Sequence, residues 1–336
     1  MKKLIAMILT ASMVLGLTAC AAAPAAAPAP AETKEEAAEP AEEPAAEEET
    51  EVEEPAAEAP SAEEETEAEE PAAEESAAGE EDVVRPAEIQ VFIAASLSTV
   101  MDVIAQNFNE KYPDIKVVYN ADSSGKLLTQ IEEGYACDVF FSAAQKQMNT
   151  LEQDDGLVVE GTRHNVVNNQ VVVVTLKDSG TAVTGLADIG KAESIALADG
   201  SVPVGRYSRV AMMNLGLLPE TEDASAYTTQ EVSEALGGVE ISEQSNVSKV
   251  LAAVVEGSCE VGTTYYSDTY GYEDKLDILE KVSYDLTGNV IYPIEQVVNE
   301  EADENEAKAA KLFVDYCVSD EAKAVFDSYY FDTNVE

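Results

Sequence analysis

The sequence predicts an α/β protein of two lobes, each a mainly parallel sheet flanked by helices. From residue 87 onward, short apolar runs alternate with amphipathic stretches of helical spacing. Such repeated β-α-β units place parallel strands between layers of helix. The 250 residues from 87 to 336 are enough for two lobes, each with a real core. The first 86 residues show none of this pattern.

Taken in order, Glu88–Ala95 (EIQVFIAA) reads as a buried strand. Ser96–Tyr112 follows as a helix, because Leu97, Val100, Val103, Ile104 and Phe108 share one face, and Pro113 ends it. Ile115–Tyr119 is a second strand, Lys126–Glu133 a helix ending at Gly134, and Asp138–Ser142 a third strand. Gln170–Leu176 (QVVVVTL) is a long buried strand and Ser194–Leu197 another. Tyr207–Leu215 reads as a helix, Asn246–Glu256 as a further helix, and Glu260–Tyr266 as a strand. Two helices close the chain, at about 303–317 and 320–329. Ser319 is placed to cap the second, with Asp320 and Glu321 in its first turn.

The N-terminus sets the compartment. Lys2 and Lys3 precede an apolar run from Leu4 to Leu17, the charge-then-apolar order of a secretory signal in residues 1–19. The run is too short to span a bilayer comfortably. It leads into Leu17-Thr18-Ala19-Cys20, which resembles a bacterial lipobox; the resemblance implies cleavage before Cys20 and acylation of that residue. Residues 20–86 are a tether of mostly Ala, Glu, Pro, Thr and Ser, and residues 1–86 carry 24 acidic and 4 basic residues. Without aromatics, such a segment cannot bury enough surface to offset chain entropy. As a coil, its 66 residues after the cysteine span roughly 45 Å, more with charge repulsion. The expectation is an extracytoplasmic domain, held off the cell membrane by a lipid-anchored stalk.

The folded part holds 43 acidic and 15 basic residues, which argues against a nucleic-acid partner. Cys137, Cys259 and Cys317 are widely spaced and form no metal-binding motif; they read as buried small apolar residues. The one histidine, His164, lies in the polar stretch GTRHNVVNN near a lobe crossover, and no Ser/His/Asp order or paired carboxylate stands out. No P-loop is present, so ATP hydrolysis belongs to a partner. The chain reads as a binder rather than an enzyme, with no cofactor, and as a monomer.

In open α/β sheets ligands bind where strands give way to helices. Four such turns stand out: Ala94-Ala95-Ser96-Leu97, Asp122-Ser123-Ser124-Gly125, Val202-Pro203-Val204-Gly205 and Ser245-Asn246-Val247. Each helix start offers unpaired N–H groups and a partial positive charge, so together they form an anion site without lysine or arginine. Taken singly, each turn is an ordinary cap. Arg206 is the one cation beside such a turn, and a surface ion pair is its simplest role.

The order of these turns carries a resemblance. VFIAASL (91–97), SSGKLLTQIEEG (123–134), DVFFSA (138–143), VPVGRY (202–207), NVSKVLAAVVEG (246–257), VGTTYYSD (261–268) and YPI (292–294) resemble the periplasmic molybdate-binding proteins of ABC transporters, and AKAAKLFVDY and EAKAVFDSYYF near the end also fit. The resemblance covers residues 89–331. It implies the two-lobed periplasmic-binding-protein fold, with a ligand cleft between lobe one (87–168 plus 292–336) and lobe two (169–291). It also implies capture of molybdate or tungstate for an ABC permease and its ATPase. Carried over by position, Ser96 and Ser124 give hydroxyls, Val204 and Val247 give backbone N–H groups, and Tyr265 gives a phenol. Side chains alternate along a strand, so only one of Tyr265 and Tyr266 faces the cleft. The chain departs from the family at Ser142-Ala143-Ala144, where SAD is frequent. It departs again at Tyr266, where a small residue is frequent, which bears on which tyrosine is the ligand, and at YYF (329–331), where YGF is common; this last departure is expected to affect only rim or packing. The rivals are a binder of sulfate or thiosulfate, a surface lipoprotein enzyme, and a substrate-free sensor or adhesion module.

Overall fold

The computed structural model describes residues 86–154 and 156–335. The signal segment 1–19, Cys20 and the tether to residue 85 lie outside the described residues.

Strands and helices alternate as β1 (Ala87–Ala94), α1 (Ser98–Lys111), β2 (Ile115–Asp122), α2 (Ser124–Glu132), β3 (Val139–Phe141), α3 (Gln145–Asn149), β4 (His164–Asn169), β5 (Val171–Leu176), β6 (Ser194–Ala198) and α4 (Pro203–Asn214). There follow α5 (Thr229–Ala235), β7 (Glu240–Gln244), α6 (Val247–Val255), β8 (Val261–Tyr265), β9 (Leu276–Lys281), α7 (Tyr284–Thr287), β10 (Val290–Gln296), α8 (Glu304–Cys317) and α9 (Asp320–Ser328).

The strands form two five-stranded sheets, ordered β2-β1-β3-β10-β4 and β7-β6-β8-β5-β9. In each sheet four strands run one way and one runs against them. The reversed strand is β10 in the first sheet and β5 in the second. The sheets are thus mainly parallel in direction but mixed in pairing. The reversed strands are those that follow each passage between sheets. The chain leaves the first sheet after Asn169, enters the second at Val171, and returns at Val290 after β9.

Burial explains the apolar runs. Val171 to Val174 are all 0 % exposed, as expected for a strand covered on both faces. Each such valine contributes about 1.5–3 kcal/mol relative to an exposed one. In the first lobe, Phe108 of α1 meets Phe313 of α8 edge-on at 5.1 Å, and Phe141 of β3 meets Phe326 of α9 at 6.0 Å. The three cysteines are free and buried, in keeping with their reading as small apolar residues.

Three boundaries differ from the sequence reading for local reasons. The first helix opens with a short 3-10 turn, Ala95–Leu97, before α1. The second begins at Ser124 rather than Lys126, because Ser123 is its cap and accepts from the Lys126 N–H. The fourth begins at Pro203 rather than Tyr207, because proline suits a first helical position that needs no N–H partner. The polar stretch from His164 forms strand β4. Its asparagines hydrogen-bond inward: Asn168 Oδ1 accepts from the Val290 N–H at 2.8 Å, and Asn169 Nδ2 donates to Ser267 Oγ at 2.8 Å. Ser319 caps α9, accepting from the Ala322 N–H.

Candidate functional site

The four turns singled out in the sequence come together. Ala94, Ala95, Ser96, Ser123, Ser124, Ala143, Val202, Pro203, Val204, Val247 and Tyr265 line one cavity between the lobes. It leaves about 10 Å³ for the centre of a water-sized sphere, roughly the room of a single water molecule and far less than an organic metabolite needs. All five residues put forward from the sequence, Ser96, Ser124, Val204, Val247 and Tyr265, are in its wall, each at most 8 % exposed. No carboxylate, lysine, arginine or histidine lines it.

The backbone contributes first. The opening N–H groups of a helix have no partner within it. α4 has no side-chain cap, and its first residue is Pro203, so the N–H groups of its first turn begin with Val204. In α2 and α6 the caps Ser123 and Asn246 accept from Lys126 and Lys249, three residues on. Those bonds leave the first positions, Ser124 and Val247, facing the cavity.

The hydroxyls are set as donors. Ser124 Oγ accepts from the Ala143 N–H at 2.9 Å, which keeps its proton available to the cavity. Ser96 Oγ lies 2.8 Å from Tyr292 Oη, and Asn169 Nδ2 donates to the same phenol at 3.1 Å. Either hydroxyl can donate in this pair; when Tyr292 donates, as the stronger acid, Ser96 keeps its own proton for the cavity. Tyr265 is 1 % exposed and its hydroxyl has no hydrogen-bond partner, while its ring packs edge-on against Tyr292 at 5.9 Å. Burial, then the adjacent Tyr292 and Tyr207, hold the Tyr265 hydroxyl well above the ordinary phenol value, so it stays protonated and can only donate or accept as a neutral group. Below it, Asp268 accepts from the Tyr265 N–H at 3.0 Å and from Thr264 Oγ1 at 2.8 Å, bracing the strand end. Burial raises that carboxyl to about 6 despite these bonds.

Tyr266, the alternative phenol, turns away from the cavity and stacks on Tyr330. Arg206 does not line the cavity, and its guanidinium lies 5.9 Å from the Tyr207 ring. Four contributors were not singled out in the sequence. Tyr292 and Asn169 orient Ser96 from behind; the YPI motif marked Tyr292 but nothing marked its role. The Ala143 N–H, in a turn read as a departure, orients Ser124. Arg209, fully buried, fastens the start of α4 by donating to Ala198 O at 2.7 Å and Gly205 O at 2.9 Å.

The lobes also meet around the cavity. Asn246 Nδ2 donates to Asp122 Oδ1 at 3.0 Å, and Lys146 Nζ pairs with Asp223 at 2.9 Å. A β-carbon on Gly125 in the first lobe would stand 2.9 Å from Ser201 O in the second, so glycine permits that approach.

Comparison with known proteins agrees with this architecture. Residues 89–332 match the family described as bacterial extracellular solute-binding protein. The molybdate-binding protein ModA of Escherichia coli (strain K12) is 31 % identical over 254 residues, covering 73 % of this chain and 88 % of ModA. YvgL of Bacillus subtilis (strain 168), which carries the name of an ABC transporter substrate-binding lipoprotein, is 29 % identical over 251 residues, covering 74 % of this chain and 88 % of YvgL. A solved structure described as the substrate-binding domain of a molybdenum ABC transporter from Clostridium difficile superposes with a TM-score of 0.54 at 29 % identity, covering 74 % of this chain and all of that one. The chain belongs to the bacterial extracellular solute-binding proteins, the substrate-binding components of ABC transporters.

Proposed function

We propose that this protein captures molybdate or tungstate between its lobes, 87–168 with 292–336 against 169–291, and delivers it to an ABC permease and its ATPase from a position lipid-anchored through Cys20. The observation that carries the reading is a cavity wall rich in hydrogen-bond donors and free of carboxylates. Four helix starts converge there with two serine hydroxyls, the Ser124 Oγ accepts from the Ala143 N–H and so keeps its proton free, and the Tyr265 hydroxyl has no hydrogen-bond partner among the described residues. A dianion that is fully deprotonated at neutral pH needs donors alone. Phosphate still carries a proton at that pH and is best held by a carboxylate acceptor, which is absent from this lining. Buried unpaired hydroxyls are costly, so a site that keeps one implies a ligand that uses it.

The acidic surface is compatible with this. Screening over about 8 Å at physiological salt leaves the contact donors dominant, and net acidity slows capture chiefly at low salt. Calorimetry of the purified protein with molybdate, tungstate, sulfate and phosphate tests the reading. Tight binding of the first two is expected; tight sulfate binding with silence for molybdate and tungstate overturns the ligand, and silence for all four overturns the oxyanion class. Ser124→Ala removes one donor to a charged ligand and is expected to weaken binding by about 1.5–3 kcal/mol. Unchanged affinity would place the ligand elsewhere. Labelling with a radioactive fatty acid, lost in Cys20→Ser, tests the anchor.

A further inference from the structure

Tyr330 follows α9 in the left-handed region, with φ of 67°. An aromatic side chain rarely adopts that conformation. The groups that engage it belong to the other lobe. Its ring stacks on Tyr266, centroids 4.7 Å apart and planes within 9° of parallel. Its hydroxyl donates to Glu273 Oε1 at 2.7 Å. Lys281 Nζ in turn lies over the Tyr266 ring, 3.2 Å from its centroid, a close cation–π contact. The neighbouring Tyr329 packs on Tyr270 at 4.2 Å, again across the lobes.

The stack lies at the segments that join the lobes. The Tyr266 N–H donates to Gln170 O at 2.8 Å, in the first passage between sheets. Gln170 Nε2 donates to Val282 O at 3.0 Å, where the second passage begins. A flat stack is sensitive to angle. Rotation about these two segments slides Tyr330 off Tyr266 and breaks its bond to Glu273 in one movement. Tyr266 also follows Tyr265 directly, so the stack fixes the strand end that carries the cavity phenol.

We propose that Tyr266 and Tyr330 form an aromatic clamp that holds the hinge at the angle seen here and thereby slows release of the bound oxyanion. This rests on the oxyanion reading above. Both are positioning residues, since neither lines the cavity.

The test is the release rate of tungstate or molybdate from the full chain, measured by displacement in stopped flow. Tyr330→Gly deletes the ring and suits the left-handed backbone, and Tyr266→Ala deletes the other half. Each is expected to speed release roughly 2- to 13-fold, the worth of one aromatic pair, with association rates unchanged. The double variant is expected to be no faster than either single one. Tyr330→Phe keeps the stack and is expected to stay closer to wild type. The melting temperature of the empty Tyr330→Gly protein is expected to hold, which separates a clamp from a structural brace. Unchanged release in Tyr330→Gly, or effects of the two variants that multiply fully, overturns the clamp. If the wild type binds none of molybdate, tungstate, sulfate or phosphate, the oxyanion reading fails, and the clamp is then decided by X-ray scattering of the empty protein. A more expanded profile for Tyr330→Gly than for wild type sustains it, and identical profiles overturn it.

Discussion

Tyr265→Phe separates a ligand donor from a structural residue, because the two roles predict opposite signs for stability. The hydroxyl is buried and without a partner. Leaving such a group unsatisfied costs about 1–3 kcal/mol. Phenylalanine keeps the ring packed on Tyr292 and removes only the oxygen. The empty variant is therefore expected to be more stable by about 1–3 kcal/mol, with a melting temperature higher by about 2–4 °C for each kcal/mol in a domain of this size. On the proposed function the same oxygen donates to a dianion in the liganded protein, a bond worth about 1.5–3 kcal/mol. Affinity is expected to fall by about 10- to 150-fold. Scanning calorimetry without ligand and titration calorimetry with molybdate read the two numbers on one preparation. A lower melting temperature with unchanged affinity would show that the hydroxyl bonds within the protein, with Tyr292 the obvious partner, and would refute the donor argument.

Three further outcomes follow from named contacts. Gly125→Ala places a methyl 2.9 Å from the Ser201 carbonyl of the opposite lobe, and carbonyl backbone yields poorly; ligand affinity is expected to fall at least tenfold with little loss of melting temperature, and unchanged affinity would show that the lobes need not approach this closely. Lys146→Ala removes an exposed interlobe ion pair with Asp223; such pairs are worth about 0.2–1 kcal/mol, so affinity is expected to drop by no more than about fivefold at low salt and not at all at 1 M salt. Glu295, 1 % exposed with neither oxygen bonded, is pushed up to about 7 by burial and by Glu152, against the pull of Arg163. A carboxyl raised in the folded state binds its proton more tightly there than when unfolded, so its stability contribution is lost as pH rises from about 4.5 to about 7. Glu295→Gln is expected to flatten that decline in a melting series across pH, and a decline as steep as that of the wild type would show that the carboxyl is already ionised in the fold.

Much of the architecture was written locally. The valine run of β5 and the helical spacing of α1 announce their own structure, because burial on both faces or on one stripe leaves a direct imprint on residue order. The strands that went unread carry no such imprint. β7 (EISEQ) is an edge strand with mostly exposed or half-buried residues, so its composition resembles a loop. β4 is rich in asparagine because its side chains satisfy backbone and hydroxyl groups of other elements, including Val290 N–H and Ser267. Partners more than ninety residues away leave no trace in a local pattern. The same holds for Tyr292: its place behind Ser96 depends on a strand returning from the second sheet.

The site divides along the same line. Ser96, Ser124, Val204 and Val247 were legible because a helix start is a local event, and its unpaired N–H groups follow from chain geometry alone. That a phenol would complete the wall was legible only through family resemblance. Which of two adjacent tyrosines does so was decided by packing: Tyr265 lies against Tyr292 at the cavity, while Tyr266 is turned to stack on Tyr330. Two of the departures, Tyr266 and Tyr330, stack on one another, which no single-residue reading anticipates. Composition and chain order thus specify an α/β protein with two lobes and a set of helix starts suited to an anion. The direction of each hydroxyl proton, the orphaned phenol and the contacts between lobes exist only once distant strands are brought side by side, because each needs a partner that the local sequence does not contain.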